Sequence, residues 1–212
     1  MKKNNVINIL LFIFLNNFIF LDLHSKIVNN IIAKVGNSLI TSVDLQNEII
    51  TNLVLDKKNL SQENINSTKN YSVQNLTKRV IKKDEINKYQ IKSFNKKDLQ
   101  NYIETVAKSF NTDQNGLKEI FKQNNISFSK FIERYKIELL WNTLIFKIYK
   151  DQINLNIVEI NNEIKKIKEN KNDAELKKIT EEITNKKKED QLNLFSRSHY
   201  SSLENSIYID FQ

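Results

Sequence analysis

Residues 128–151 read FSKFIERYKIELLWNTLIFKIYKD and decide the fold, with Ser127 before them as an N-cap. Apolar side chains recur at helical spacing in two stripes. One stripe comprises Phe128, Phe131, Tyr135, Leu139 and Phe146, and the other comprises Ile137, Trp141, Leu144 and Ile148. Because the second half is apolar nearly all round, we predict a helix buried on both sides, the central helix of the domain.

Upstream of this segment, the sequence predicts a hairpin followed by shorter helices. Residues 28–40 combine a β-rich run, Gly36-Asn37 and a short apolar return, which indicates two strands joined by a tight turn. Thr41 and Asp44 then form a T-x-x-D capping box. We expect helices at about 42–56 and 71–89, from Asn95 to Phe110, and around Leu117 to Phe121, with a loop at residues 57–70.

Downstream, Asn156 and Glu159 start a helix that runs through Ile167. Residues 165–178 are mostly Lys, Asn and Glu, which is typical of an exposed helix or a loose linker. A last helix is expected at about 179–202, and residues 206–211 alternate like an edge strand that pairs with residues 28–35. The predicted fold class is mostly α, with a small β element formed by the N-terminal hairpin and the C-terminal strand.

The first residues have the order of an export signal. Lys2 and Lys3 precede the apolar run 6–23, which three Asn and one Asp interrupt. The run is about 18 residues long, at the lower edge of what spans a bilayer core of about 30 Å. We therefore expect a signal peptide over residues 1–25, cut near Ser25. The alternative is an uncleaved anchor, which would be the chain's contact with the membrane.

Composition restricts the chemistry. The 212 residues include no Cys, no Pro, two Gly and two His. A chain without Cys has no disulfide, thiolate metal site or Cys nucleophile, and scarcity of Gly and Pro favours helices. His24 lies in the predicted signal, which leaves His199 and excludes a His-based triad or a two-His metal site after cleavage. Composition leaves a Ser-Lys dyad open, but no motif marks one, so we expect no catalytic residue, no metal and no cofactor.

The formal net charge of +8 is compatible with nucleic acid, anionic membranes or acidic clients. The lysines are spread along the chain and alternate with Asp and Glu, so we expect no nucleic-acid partner. Aromatic residues are plentiful, with 12 Phe, seven Tyr and one Trp. We expect some of them to line a groove for apolar peptide rather than fill the core.

Residues 27–45, IVNNIIAKVGNSLITSVDL, resemble the start of the N-terminal domain of the SurA family of periplasmic chaperones. Ile40, Thr41, Asp44 and Leu45 fill that family's I-T-x-x-D-[LV] pattern. The similarity continues through IKSFNKKDLQNYI (91–103), ISFSKFIERYKIELL (126–140) and INLNIVEINNEI (153–164). It implies a SurA-like helical domain over residues 26–164, a polar segment at 165–178, and a C-terminal helix and strand at 179–212 that complete the core.

Members of this family usually carry one or two parvulin-type prolyl isomerase domains between the halves of the core. A domain of about 90 residues cannot fit into residues 165–178, so the resemblance implies a chaperone without isomerase activity. Its expected partners are unfolded outer-membrane proteins and the outer-membrane assembly machinery. The expected lining residues of its apolar cradle are Phe128, Phe131, Tyr135 and Trp141. An adaptor protein of the cell envelope and a prolyl isomerase are the alternatives.

Overall fold

The computed structural model describes residues 29–167 and 172–212, so the predicted signal at residues 1–25 lies outside the described residues. The described part is mostly helical, with a small antiparallel sheet, which confirms the predicted fold class. Its strands are β1 Ile31–Val35, β2 Ser38–Thr41 and β3 Ile209–Phe211. Its α-helices are α1 Ser42–Leu55, α2 Gln62–Lys88, α3 Lys96–Ser109, α4 Gln114–Gln123, α5 Phe128–Tyr149, α6 Ile157–Ile167 and α7 Asp173–Ser206.

The sheet joins the two ends of the described chain. Its strand order is β2-β1-β3, and Val35 pairs with Ser38 on one side and Ile209 on the other. Gly36 has a φ of +56° at the first central position of the hairpin turn, a conformation that glycine adopts without steric cost. The predicted hairpin and the predicted pairing of the C-terminal strand with the first strand are both confirmed.

Four helices end in the same way without glycine. The residue after each C-cap has a left-handed backbone, with φ between +54° and +56°, and the next amide bonds back to a carbonyl five residues earlier. This is the Schellman motif, which usually has Gly at that position. In this Gly-poor chain the position is filled by Lys57, Gln90, Asn111 and Asn125.

The polar stretches are more helical than their sequence indicated. The predicted loop at residues 57–70 is wrong, because α2 begins at Gln62, where the Ser61 hydroxyl accepts from the Asn64 amide. Ile65 then packs against the cluster formed by Leu45, Ile49 and Leu53, which holds this first turn on α1. The last helix begins at Asp173 rather than at about 179, because Asn172 and Glu175 form a capping box.

Helix α5 is the central helix, as predicted, and packs against α2, α3, α4 and α7. Buried side chains run along it from Phe131 to Ile145. Phe146 departs from the expectation, because it is 52% exposed. The second half of α5 is therefore buried on several sides but not all round.

Helix α7 docks on α5 through aromatic and polar contacts. The indole Nε1 of Trp141 donates to Ser196 Oγ at 2.8 Å, and the Tyr149 hydroxyl lies 2.9 Å from His199 Nδ1. The rings of Tyr149 and Phe195 stack with centroids 4.8 Å apart. These contacts tie the C-terminal helix and strand to the N-terminal core. Within the described ranges, no helix has the length and hydropathy to cross a membrane.

Candidate functional site

A cleft of about 270 Å³ opens between β2, α1, α2 and α5. Apolar side chains from three of these elements form part of its walls, namely Leu39, Leu76, Val80 and Ile137. Charged side chains from the three helices form the rest, namely Asp44, Glu48, Arg79, Lys83, Lys130, Glu133 and Arg134. The cleft therefore combines apolar contact surface with a dense set of charges.

A buried carboxylate lies between two guanidinium groups in this cleft. Glu48 on α1 is 4% exposed, and its Oε2 accepts from Nη2 of Arg79 and, at 3.1 Å, from Nε of Arg134. Nη2 of Arg134 is in ion-pair contact with the other oxygen, Oε1. One negative charge is thus shared by two positive charges, which leaves the group with a net charge of +1.

A short polar chain fixes Arg134 further. Its Nη2 donates to Asn52 Oδ1 at 2.9 Å, and Asn52 Nδ2 donates to the buried Ser72 hydroxyl at 3.1 Å. Arg134 on α5 is therefore tied to both α1 and α2. Side chains held in this way by hydrogen bonds and packing keep a fixed geometry, which is what a binding site requires.

Several guanidinium donors remain free. A guanidinium has five N–H donors, and among the described residues Nε and Nη1 of Arg79 and Nη1 of Arg134 donate to no protein atom. The two side chains are 18% and 17% exposed and both line the cleft. Two residues that line the cleft therefore have N–H donors that no described residue uses.

Burial changes the pKa of Arg79. Desolvation lowers the pKa of Arg79, the nearby Glu48 opposes that change, and the like charge of Arg134 adds to it. Burial of two like-charged guanidinium groups close together, those of Arg79 and Arg134, costs free energy. An additional anion would oppose the effect of burial on Arg79, because an opposite charge favours the charged form of its guanidinium.

Two exposed ion pairs form the rim. Lys83 Nζ donates to Glu133 Oε1 at 2.8 Å, and Lys130 Nζ lies 3.8 Å from Asp44 Oδ1. The hydrogen bond from Lys83 lowers the pKa of Glu133. Because these pairs face water, each contributes little to stability.

The cleft also borders a free sheet edge. Val35 and Ser38 flank the two-residue turn, so Lys34 and Leu39 form the next, non-hydrogen-bonded pair of the ladder. The backbone N–H and C=O of Leu39 therefore point away from β1. Since β2 ends the strand order, these groups have no strand partner in the described part of the chain.

The four residues expected to line a groove separate into two places. Phe128, Phe131 and Tyr135 belong to one aromatic cluster with Tyr102 and Phe121. The Tyr102 and Tyr135 rings stack with centroids 3.8 Å apart, and burial raises the pKa of the Tyr102 hydroxyl. Phe128 and Tyr135 are half-buried and do not line the cleft, whereas Phe131 is 1% exposed and is among the residues that line it.

Trp141 lies elsewhere, at the contact between α2, α5 and α7. It is 1% exposed, its indole donates to Ser196, and Lys82 Nζ lies 5.4 Å from its ring centroid. Trp141 therefore acts as a core residue and presents no surface to a client. The lining role expected for Trp141 does not fit this position.

The residues that sequence reasoning missed are Glu48, Arg79 and Arg134. Two signals point to them. Glu48 lies at a core-facing position of α1, between Leu45 and Ile49, where a carboxylate needs a partner. In addition, the chain has 33 basic residues and only Arg79, Arg134 and Arg197 are arginines. Two of these three meet at Glu48.

No cluster of His, Asp and Glu within residues 29–167 and 172–212 has the arrangement of a metal site. Comparison with protein-family models and with curated proteins gave no match to this sequence.

Proposed function

We propose that this chain is a periplasmic holdase chaperone that keeps unfolded outer-membrane proteins soluble and has no isomerase activity. The observation that carries the proposal is the cleft, in which apolar walls lie beside the free edge of β2. An extended segment adds to such an edge through main-chain hydrogen bonds, while its side chains contact the apolar walls. Main-chain pairing accepts many sequences, which suits a protein with many clients.

Two further features support the proposal. The resemblance to the SurA family rests on an ordered set of motifs from residue 27 to residue 165. In the structure, α7 and β3 pack on the N-terminal segment, with β3 on β1 and α7 on α5. This is the arrangement that the resemblance implies for a chaperone core.

Suppression of aggregation tests the proposal. An unfolded outer-membrane barrel protein is diluted from urea with the purified chain in several-fold molar excess, and light scattering is followed. We expect suppression by the parent and weaker suppression by Leu39→Glu, because the new carboxylate stands in the apolar wall. Leu194→Glu is the matched control, since Leu194 is exposed on α7 and does not line the cleft.

Two results would contradict the proposal in different ways. Absence of suppression by the parent chain would exclude a holdase and favour an envelope adaptor with one defined partner. Equal loss of suppression in both Leu→Glu variants would place client binding outside the cleft.

The absence of isomerase activity has its own test. We expect the chain to leave the rate of a proline-limited refolding reaction unchanged, because residues 165–178 have no room for a parvulin domain. Acceleration of that refolding would show that the core itself catalyses isomerisation.

The compartment is tested by the mature N-terminus. Mass spectrometry of the chain from an envelope fraction should find cleavage near Ser25. A chain that retains residues 1–25 in that fraction would instead be held by an uncleaved anchor.

A further inference from the structure

We propose that the cleft is a receptor for the C-terminal carboxylate of an extended peptide whose last side chain is apolar. The inference deepens the proposed function, on which it rests for the extended state of the client. It assigns ligand-binding roles to Arg79 and Arg134 and a positioning role to Glu48.

Free N–H donors of the two arginines are available to bind a carboxylate. Nε and Nη1 of Arg79, and Nη1 of Arg134, donate to no atom among the described residues, although both side chains line the cleft. The two oxygens of a carboxylate can each accept a charge-assisted N–H bond, one from Nη1 of Arg79 and one from Nη1 of Arg134, and such bonds are stronger than neutral hydrogen bonds. The net charge of +1 on the Glu48 group then becomes zero.

The basic residues that contact Glu48 are both arginines, in a chain whose basic residues are mostly lysines. Nearly all of the 33 basic residues are lysines, and two of the three arginines contact one buried carboxylate. A lysine can neutralise a carboxylate as a point charge, but only the planar guanidinium presents a rigid fork of donors. Use of arginine at these positions, in a chain that otherwise uses lysine, fits recognition of a second planar anion.

The size of the cleft and its apolar walls favour the C-terminal residue of a peptide as the ligand. About 270 Å³ is at the small end of ligand pockets, which span about 300–1,000 Å³. A terminal residue carries its carboxylate and an apolar side chain on the same Cα, so both reach a small cleft together. An internal Asp or Glu uses its side chain for the charge and so has no apolar side chain on the same Cα to contact Leu39, Val80 and Ile137.

The strand edge gives the peptide its direction. With the carboxylate at the arginines, the preceding residues extend toward Leu39, whose N–H and C=O face away from β1. The peptide would then add to the sheet next to β2. One extended segment would thus be bound both by its terminal carboxylate and by main-chain hydrogen bonds to the edge of β2.

The direct test compares two peptides that differ only at the C-terminus. A fluorescein-labelled decapeptide with apolar last residues is titrated with the purified chain as a free acid and as a C-terminal amide, and anisotropy is recorded. We expect the free acid to bind about tenfold tighter or better, the range for a charge-assisted pair. Equal affinities would overturn the proposal.

A third peptide separates the two sources of a carboxylate. It is amidated at the C-terminus and contains an internal Asp, and we expect it to bind like the plain amide. Binding as tight as that of the free acid would overturn recognition of a chain end.

Protein variants assign the site. Arg79→Gln should abolish the preference for the free acid, and Arg79→Lys should lose most of it, because the charge stays and the fork is lost. Arg197→Gln is the matched control, because Arg197 is exposed on α7 and outside the cleft. Thermal melts followed by circular dichroism confirm that each variant is folded. A preference that survives in folded Arg79→Gln would overturn the assignment.

Failure of this inference differs from failure of the proposed function. A chain that suppresses aggregation but binds acid and amide equally is a holdase without terminal recognition. A chain that prefers the free acid but does not suppress aggregation recognises chain ends without being a holdase.

Discussion

Two neighbouring faces of α5 contact the rest of the protein through different kinds of interaction. One carries Phe128, Phe131 and Tyr135 and packs on α3 and α4 through aromatic contacts. The next carries Arg134 and Glu138 and meets α1 and α2 through ion pairs with the buried Glu48 and Lys82. Apolar packing stabilises the first face, whereas replacement of buried ion pairs by apolar residues is often neutral or stabilising. Stability alone therefore gives no reason for the charged face, which agrees with the binding role that we propose for it.

The largest effect should follow from a cavity in the apolar face. Phe131→Ala removes a fully buried ring that contacts Tyr102, Phe121 and Phe128, and we expect a loss of about 3–5 kcal/mol in the free energy of unfolding. Urea denaturation measures it. Phe146→Ala on the same helix is the control, because that ring is exposed, and its cost should stay below about 1 kcal/mol. Similar losses in both variants would contradict the assigned core.

Removal of the shared carboxylate should have the next largest effect. Glu48→Gln leaves two largely buried guanidinium groups without their counter-charge, and we expect a loss of about 3 kcal/mol in the free energy of unfolding. The double variant Glu48→Gln with Arg134→Gln should recover part of it, because one uncompensated charge remains instead of two. If urea denaturation gives the parent stability for Glu48→Gln, the three groups do not interact as described.

The pair Lys82 and Glu138 should respond asymmetrically. The Lys82 side chain is 5% exposed and that of Glu138 is 40% exposed. Glu138→Gln leaves a buried ammonium unpaired and should cost about 2 kcal/mol, whereas Lys82→Met leaves a carboxylate that water can reach and should stay within about 1 kcal/mol of the parent. Chemical denaturation of the two variants compares them. A larger loss for Lys82→Met would reverse this interpretation.

The smallest effect concerns pH. Burial lowers the pKa of Lys82, and Glu138 only partly opposes this. The unfolded chain then binds more protons than the folded chain between the lowered pKa and about 10.5, so stability rises with pH in that window. We expect the parent to gain stability relative to Lys82→Met as the pH approaches 10.5. Burial raises the pKa of Tyr102 and Tyr200 in both proteins, so their contribution cancels. A difference that is independent of pH would contradict the burial of this ammonium.

Local patterns were sufficient to predict much of the fold. The capping box at Thr41 and Asp44, the turn at Gly36, the central helix and the pairing of the last strand depend on residues close together in sequence or on simple alternation. The start of α2 was not predicted, because residues 62–70 are mostly polar and exposed, and Ile65 is the one apolar residue among them that packs on the core. The start of α7 was missed for the same reason.

The site could not be predicted from such patterns. Glu48 and Arg79 are separated by 31 residues, and Glu48 and Arg134 by 86, so only tertiary packing brings them together. Periodicity placed Phe131 and Trp141 on apolar stripes of a helix. It could not distinguish an aromatic residue buried in the core from one that lines a groove. Two sequence signals pointed to the charged face: the carboxylate at the core-facing position 48 and the scarcity of arginine.

Hydrogen exchange in the presence of a client tests the central claim most directly. The exchange rate of each backbone amide of the purified chain is measured by mass spectrometry, alone and with an unfolded outer-membrane barrel protein. If the cleft binds an extended segment at the free edge of β2, the amide of Leu39 and the adjoining turns of α1 and α2 become protected. Protection confined to α6 and α7, with Leu39 exchanging as in the free chain, would contradict the account.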